Sequence, residues 1–123
     1  MIRIAAHHAD IWNSLSFLPD FDGQLAETRG RCQAIDAACA AIGRDPSPLR
    51  RSCTMFDARA RANGGAMSYY ASSDLLVEQV TRLVELGISD IGLYYPLDPA
   101  QLPAFDRIFT DVLPALRAAH LSI

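Results

Sequence analysis

Two hydrophobic periods alternate along this chain, one of about two residues and one of about 3.6, which restricts it to folds where strands and helices take turns. Residues 9–16 carry β-favouring Ile11 and Trp12 and end at a turn-forming stretch from Pro19 to Gly23, which predicts a first strand. From Gln24 the spacing changes: Leu25, Thr28, Cys32, Ile35, Cys39 and Ile42 fall three or four apart, as in an amphipathic helix of about 18 residues. Gly43 stands where a left-handed residue would close that helix, and Arg44-Asp45-Pro46 forbids its continuation.

The same grammar repeats. Residues 51–56 predict a second strand, and residues 57–71 a long loop around Asn63-Gly64-Gly65. Ser72, Ser73 or Asp74 can cap a helix with the apolar face Leu76, Val80, Leu83 and Val84, ending at Gly87. A third strand is predicted over 88–95, stopped by Pro96. Asp98-Pro99 is a helix start, with Gln101 placed for a capping-box contact. The stripe Phe105, Ile108, Phe109, Val112, Leu113 and Leu116 then defines a last helix, and Pro114, which cannot donate to the carbonyl of Thr110, predicts a kink in it. Residues 2–8 read as the tail of an earlier helix. Strand, helix, strand, helix, strand, helix implies an α/β fold with parallel strands joined by right-handed crossovers. Two architectures satisfy that order: a small open sheet covered on both faces, or a piece of a (β/α)8 barrel.

Composition narrows the function. All eleven basic residues are Arg, eleven of the fourteen acids are Asp, and the formal net charge is −3. The phosphate-neutralising surface of a nucleic-acid binder is missing. The pairs Arg50 and Arg51, and Arg59 and Arg61, read as solvated loop charges. Apolar blocks reach only about seven residues, too short to span a membrane. The amino terminus lacks an apolar stretch of signal-peptide length, so the cytoplasm is the expected location.

Several ordered stretches resemble the luciferase-like flavin- or deazaflavin-dependent monooxygenases and oxidoreductases. They are Arg3-Ile4-Ala5-Ala6-His7-His8-Ala9-Asp10-Ile11-Trp12-Asn13, Ala38-Cys39 through Gly43-Arg44-Asp45-Pro46, and Arg51-Ser52. Glu85-Leu86-Gly87-Ile88-Ser89-Asp90-Ile91-Gly92-Leu93-Tyr94-Tyr95-Pro96 and Asp111-Val112-Leu113-Pro114-Ala115-Leu116-Arg117 complete the set. The resemblance covers nearly the whole chain and implies a single partial-barrel domain, the last three βα units of a (β/α)8 oxidoreductase. It implies FMN, which supports oxygen insertion, or a deazaflavin coenzyme, which passes a hydride, with an organic substrate. Family members commonly carry a Gly-rich phosphate-cradling turn just before the segment matching residues 2–6; here Met1 stands in its place. The amino-terminal strands that supply the usual acid and base side chains are also outside the matched segment.

Barrel chemistry sits at the carboxyl ends of strands. That points to Asn13 through Ser16, to Phe56-Asp57 with the 57–71 loop, and to Tyr94 through Asp98. On the resemblance, Trp12 and Asn13 are candidates to stack on and hydrogen-bond an isoalloxazine; core packing for Trp12 and backbone satisfaction for Asn13 are the stronger alternatives. Tyr94 and Tyr95 are candidates for a substrate pocket, as are Tyr69 and Tyr70. His7 and His8 with Asp10 make a poor metal set, because adjacent helical positions point about 100° apart, and a helix-end role suits them better. His120 is a poor catalytic candidate. Cys32, Cys39 and Cys53 read as small buried hydrophobes. The 57–71 loop reads equally as a mobile lid or as disorder. No Ser-His-Asp order, Walker loop or Gly-x-Gly-x-x-Gly segment supports a hydrolase or nucleotide-triphosphatase. Three strands cut from a barrel are expected to expose two edges and one apolar face, and so to require a homodimer or a separate amino-terminal half. The alternative to a working oxidoreductase is therefore a non-catalytic half-barrel.

Overall fold

A computed structural model describes residues 1–120. Helix α1 (Ile2–His8) leads into strand β1 (Ile11–Ser14), helix α2 (Phe21–Ala41) and strand β2 (Arg50–Met55). Two short 3-10 turns, Arg61–Asn63 and Ser68–Tyr70, precede helix α3 (Ser73–Glu85) and strand β3 (Asp90–Leu93). A 3-10 turn over Pro99–Gln101, helix α4 (Leu102–Arg107), a π-helical turn over Ile108–Val112 and helix α5 (Leu113–His120) complete the chain. The three strands form one parallel sheet in the order β1-β2-β3. The expected α/β alternation is present, with β1 and β3 shorter than their sequence signals and β2 of the expected length, begun one residue earlier.

Local chemistry sets the boundaries. α2 begins three residues before Gln24 because Asp20 caps it, its carboxylate accepting from the Gly23 amide at 2.6 Å. Ser72, of the three candidate caps, starts α3 by accepting from the Leu75 amide at 3.1 Å. Gly43 and Gly87 follow α2 and α3 with φ of 70° and 94°, the left-handed closures their positions predict. Asp98 accepts from the Ala100 amide at 3.0 Å, but Gln101 is not a capping-box partner; it reaches the 57–71 loop instead.

Because the strands progress in one direction, right-handed crossovers place α2 and α3 on the same side of the sheet. Side chains of one strand phase meet them. Ser14 hydrogen-bonds Thr28 of α2 at 2.8 Å, Arg51 pairs with Asp36 of α2, and Cys53, Met55 and Ile91 join Leu76, Val80 and Leu83 of α3 in the main core. A smaller core of Ala6, Ile35, Cys39 and Leu49 holds α1 against α2, and Trp12 packs against both. Arg44 fastens α1 by donating to the carbonyls of Ala6 and Ala9, the orphan acceptors of its last turn, at 2.8 and 2.7 Å.

The opposite phase corrects two expectations. The sheet is covered on one face only, and the bare face is polar rather than apolar. It presents Asn13, Arg50, Ser52, Thr54, Asp90 and Gly92, with Ile11 as the apolar member at the start of β1. Strands buried on both faces read as continuous apolar runs, whereas these alternate. Arg50 and Arg51 lie in a strand rather than a loop: they open β2 and pair with Asp90 and Asp36 respectively, Arg50 remaining largely solvent-exposed. Arg59 and Arg61 are exposed in the 57–71 loop.

Pro114 acts as a register change more than a kink. With no amide hydrogen at 114, the chain closes a wider turn from the Leu113 amide to the Ile108 carbonyl, and Thr110 donates its hydroxyl to the Asp106 carbonyl at 2.9 Å. The wide turn interrupts the regular stripe, so Ile108, Leu113 and Leu116 are buried while Phe109 is exposed.

Two substitutions check this packing. Gly87→Val places a β-branched residue at φ 94° with open space around it, so strain alone is expected to cost about 1–2 kcal/mol in a thermal melt. Leu113→Ala, at a position 1 % exposed, is expected to cost about 2–5 kcal/mol in urea unfolding; a near-neutral value would mean that α5 is undocked.

Candidate functional site at the carboxyl rim

The bare face and the carboxyl ends of the strands meet at one rim. Asn13 Oδ1 accepts from Ser52 Oγ at 2.8 Å and Thr54 Oγ1 at 3.3 Å, forming a polar row across β1 and β2. Beyond the strand ends, Phe17, Phe56 and Tyr94 form an aromatic chain: Phe17 meets Phe56 edge-on at 5.2 Å, and Phe56 meets Tyr94 at 5.9 Å. A second cluster lies behind it, where Phe105 contacts Tyr70, Tyr95 and Phe109 at 5.7, 5.1 and 4.4 Å.

The 57–71 loop is an ordered excursion over this rim, neither a free lid nor disorder. Asp57 holds its neck, one oxygen accepting from the Arg59 amide at 2.8 Å and the other from the Ser68 amide at 2.7 Å. Gln101 clasps Met67 at both backbone groups, at 2.9 and 3.0 Å. Tyr69 donates to the Met55 carbonyl at 3.1 Å, and Tyr70 donates to the Tyr94 carbonyl. Gly65, at φ 88°, seats the loop against β3's exit: a Cβ there would lie 3.0 Å from Leu97 Cβ. Between loop and rim lies an open hollow of about 280 Å³, bordered by Phe56, Asp57, Arg61, Met67, Tyr94 and Leu97.

Electrostatics sort the candidates. Burial pushes the Asp57 carboxyl up, but the two amides outweigh it and hold it below its ordinary value. Burial raises the Tyr69 phenol well above its usual range and the Tyr70 phenol to about 12. Both phenols stay protonated at neutral pH and are already donated to carbonyls, so they hold the loop rather than transfer protons. Burial likewise pushes the Cys53 thiol up to about 11.

The predicted site residues divide by strand phase. Trp12 and Asn13 are neighbours in β1 and so send their side chains to opposite faces of the sheet. Asn13 belongs to the polar row. Trp12 packs between the two cores with its Nε1 buried and without a partner among the described residues. Both also border a second cleft, about 570 Å³, beside the free edge of β1 and under α1. Tyr94 lines the rim hollow, while Tyr95, 65 % exposed, turns to Phe105. His7 and His8 are both exposed with ring centroids 5.8 Å apart, and no group of three metal-ligating side chains occurs among the described residues. The side chain of His120 lies outside what the structure describes. Sequence reading missed Phe17, Arg61 and Gln101; position just past a strand end was the available signal for Phe17.

No helix among the described residues is long and apolar enough to cross a membrane. No family model, curated protein or solved structure matches this chain.

The Asp57 clamp has a pH signature. Its folded carboxyl lies below the ordinary 3.8, so its contribution is present above that value and is lost as pH falls through the lowered one. The amides of Arg59 and Ser68 are expected to lose hydrogen-exchange protection in acid before the sheet does, and Asp57→Asn is expected to remove most of that pH dependence.

Proposed function

We propose that this chain supplies the closing βα units of a luciferase-like oxidoreductase barrel, in which FMN or a deazaflavin coenzyme meets an organic substrate. The observation that supports this most is the one-sided sheet: parallel strands in sequential order, helices on one face, polar side chains on the other. A barrel turns one sheet face to its helices and the other inward, with chemistry at the carboxyl ends. On this reading Asn13, Ser52 and Thr54 point into the chamber, and Phe17, Phe56 and Tyr94 form part of its mouth.

The fit to the cofactor is partial. Hydrogen-bonding groups and aromatic walls suit a ring system. A phosphate is another matter: α2 and α3 begin at amides already taken by Asp20 and Ser72, with Asp22 and Asp74 in their first turns, which disfavours an anion. No reaction step is therefore assigned to these residues. When bound, the cofactor would supply the redox chemistry, and the chain would orient the ring and exclude water.

A second reading, a non-catalytic half-barrel that associates with itself or with a complementary amino-terminal half, is favoured by the cleft beside β1. Its border includes exposed Met1 and half-buried Ile2 and Trp12, next to an unpaired strand edge. Both readings require association. Light scattering is expected to report a dimer or larger species, and a well-folded monomer at micromolar concentration overturns the partial-barrel assignment. The two readings part on ligand binding. The associated species is expected to bind FMN and riboflavin with equal affinity, because these residues do not read the phosphate. Binding of neither at high micromolar concentration removes the oxidoreductase reading and leaves the second.

A further inference from the structure

We propose that the hollow between the 57–71 loop and the end of β3 is a binding site for a small aromatic monocarboxylate. The inference rests on the reading of the rim as the mouth of a substrate chamber, and it names the class of substrate that mouth admits.

The walls select a ring. Phe56 and Tyr94 meet at an interplanar angle of 61°, which leaves the hollow edged by two aromatic surfaces, with Met67 and Leu97 completing an apolar lining. A third ring gains edge-to-face contact with such a pair and favourable contact with the thioether. Size sets the limit. At about 280 Å³ the hollow falls just below the range of about 300–1,000 Å³ that takes drug-sized ligands. It suits one ring, not a fused tricycle, so it is separate from any flavin position.

The lip selects the charge. Two charged side chains border the hollow, and they differ in how their needs are met. Asp57 spends both oxygens on the amides of Arg59 and Ser68. Its charge is settled, which leaves it unsuited to recruiting a cation or a proton. Arg61 is exposed and has no ion pair or hydrogen bond among the described residues. A free guanidinium fork beside an apolar recess matches a planar carboxylate in bidentate geometry. Arg61 and Asp57 sum to zero charge on the lip, so Arg61 can pair with a single negative charge while a second would meet Asp57 unopposed, which favours carboxylate over phosphate.

The test uses the full chain, isotopically labelled, and follows its amide resonances during titration with benzoate, benzamide, acetate and inorganic phosphate. Benzoate is expected to shift residues 58–67 saturably, with benzamide and acetate each about tenfold weaker. Arg61→Gln, at an exposed unpartnered position, is expected to leave the remaining spectrum unchanged, weaken benzoate about tenfold and leave benzamide unaffected. Absence of a saturable shift with benzoate, equal losses for benzoate and benzamide in the variant, or tighter binding of phosphate would each overturn the proposal. Benzoate binding without any response to riboflavin would keep this site and remove the oxidoreductase reading. Riboflavin binding without benzoate would do the reverse.

Discussion

Asn13 accepts hydrogens from Ser52 and Thr54 across a sheet face that no helix covers, and the rest of the molecule is arranged around that bare face. A strand presents two faces with a period of two, so every side chain sent toward the helices fixes the side sent away. Ser14, Cys53, Met55 and Ile91 go down to α2 and α3; Asn13, Ser52, Thr54 and Gly92 remain above. A register slip of one residue would bury Asn13 and Arg50 under the helices and expose Met55, so the polar row and the core specify the pairing together.

The rim depends on the same arithmetic one step further along the chain. Where β2 and β3 end, the next residues are Phe56 and Tyr94, which leave the sheet plane and touch each other. An aromatic rim of this kind would be a liability on an exposed surface without something to organise it. Asp57, Gln101, Tyr69 and Tyr70 supply the organisation by tying the 57–71 loop to the ends of β2 and β3 and to the turn before α4. These are side-chain bonds to backbone groups, so they fix the path of the loop while leaving Phe56, Tyr94 and Arg61 available to a ligand.

Much of this was legible before any coordinates. Gly43 and Gly87 marked helix ends correctly because their positive φ is a backbone requirement that few other residues meet. The helix-facing stripes were legible for the same kind of reason, since Leu76, Val80 and Leu83 fall on one side of any helix that contains them. What resisted reading was long-range. Gln101 sat in a good capping-box position, yet its amide matched both backbone groups of Met67, 34 residues away, and that pairing has no local signature. Phe109 kept the stripe's spacing but lost its burial, because Pro114 changed the hydrogen-bond ladder on which the spacing depends. The polar character of the bare face was visible in Asn13, Ser52 and Thr54, but only the strand register showed that these three share a side.

The unfinished edge of β1 sets the final constraint. A compact monomer of 13.4 kDa exposes about 6,500 Å² by the surface scaling of globular proteins, whereas this chain exposes 7065 Å². The difference is somewhat less than the roughly 800 Å² that one partner gives up in a standard interface. Exposed apolar side chains occur both at the rim, with Phe17, Tyr95 and Leu97, and at α1 and β1, where Ile4 and Ile11 are exposed and the cleft under α1 adjoins an unpaired strand. Arg44 holds α1 beside α2 by its terminal carbonyls, so the helix layer extends past the last strand beneath it. The outer backbone groups of β1 and the apolar flank of α1 therefore lie together along one edge of the molecule. An edge strand with free backbone donors and acceptors beside apolar side chains is a defined surface, unlike singly scattered exposed apolar residues.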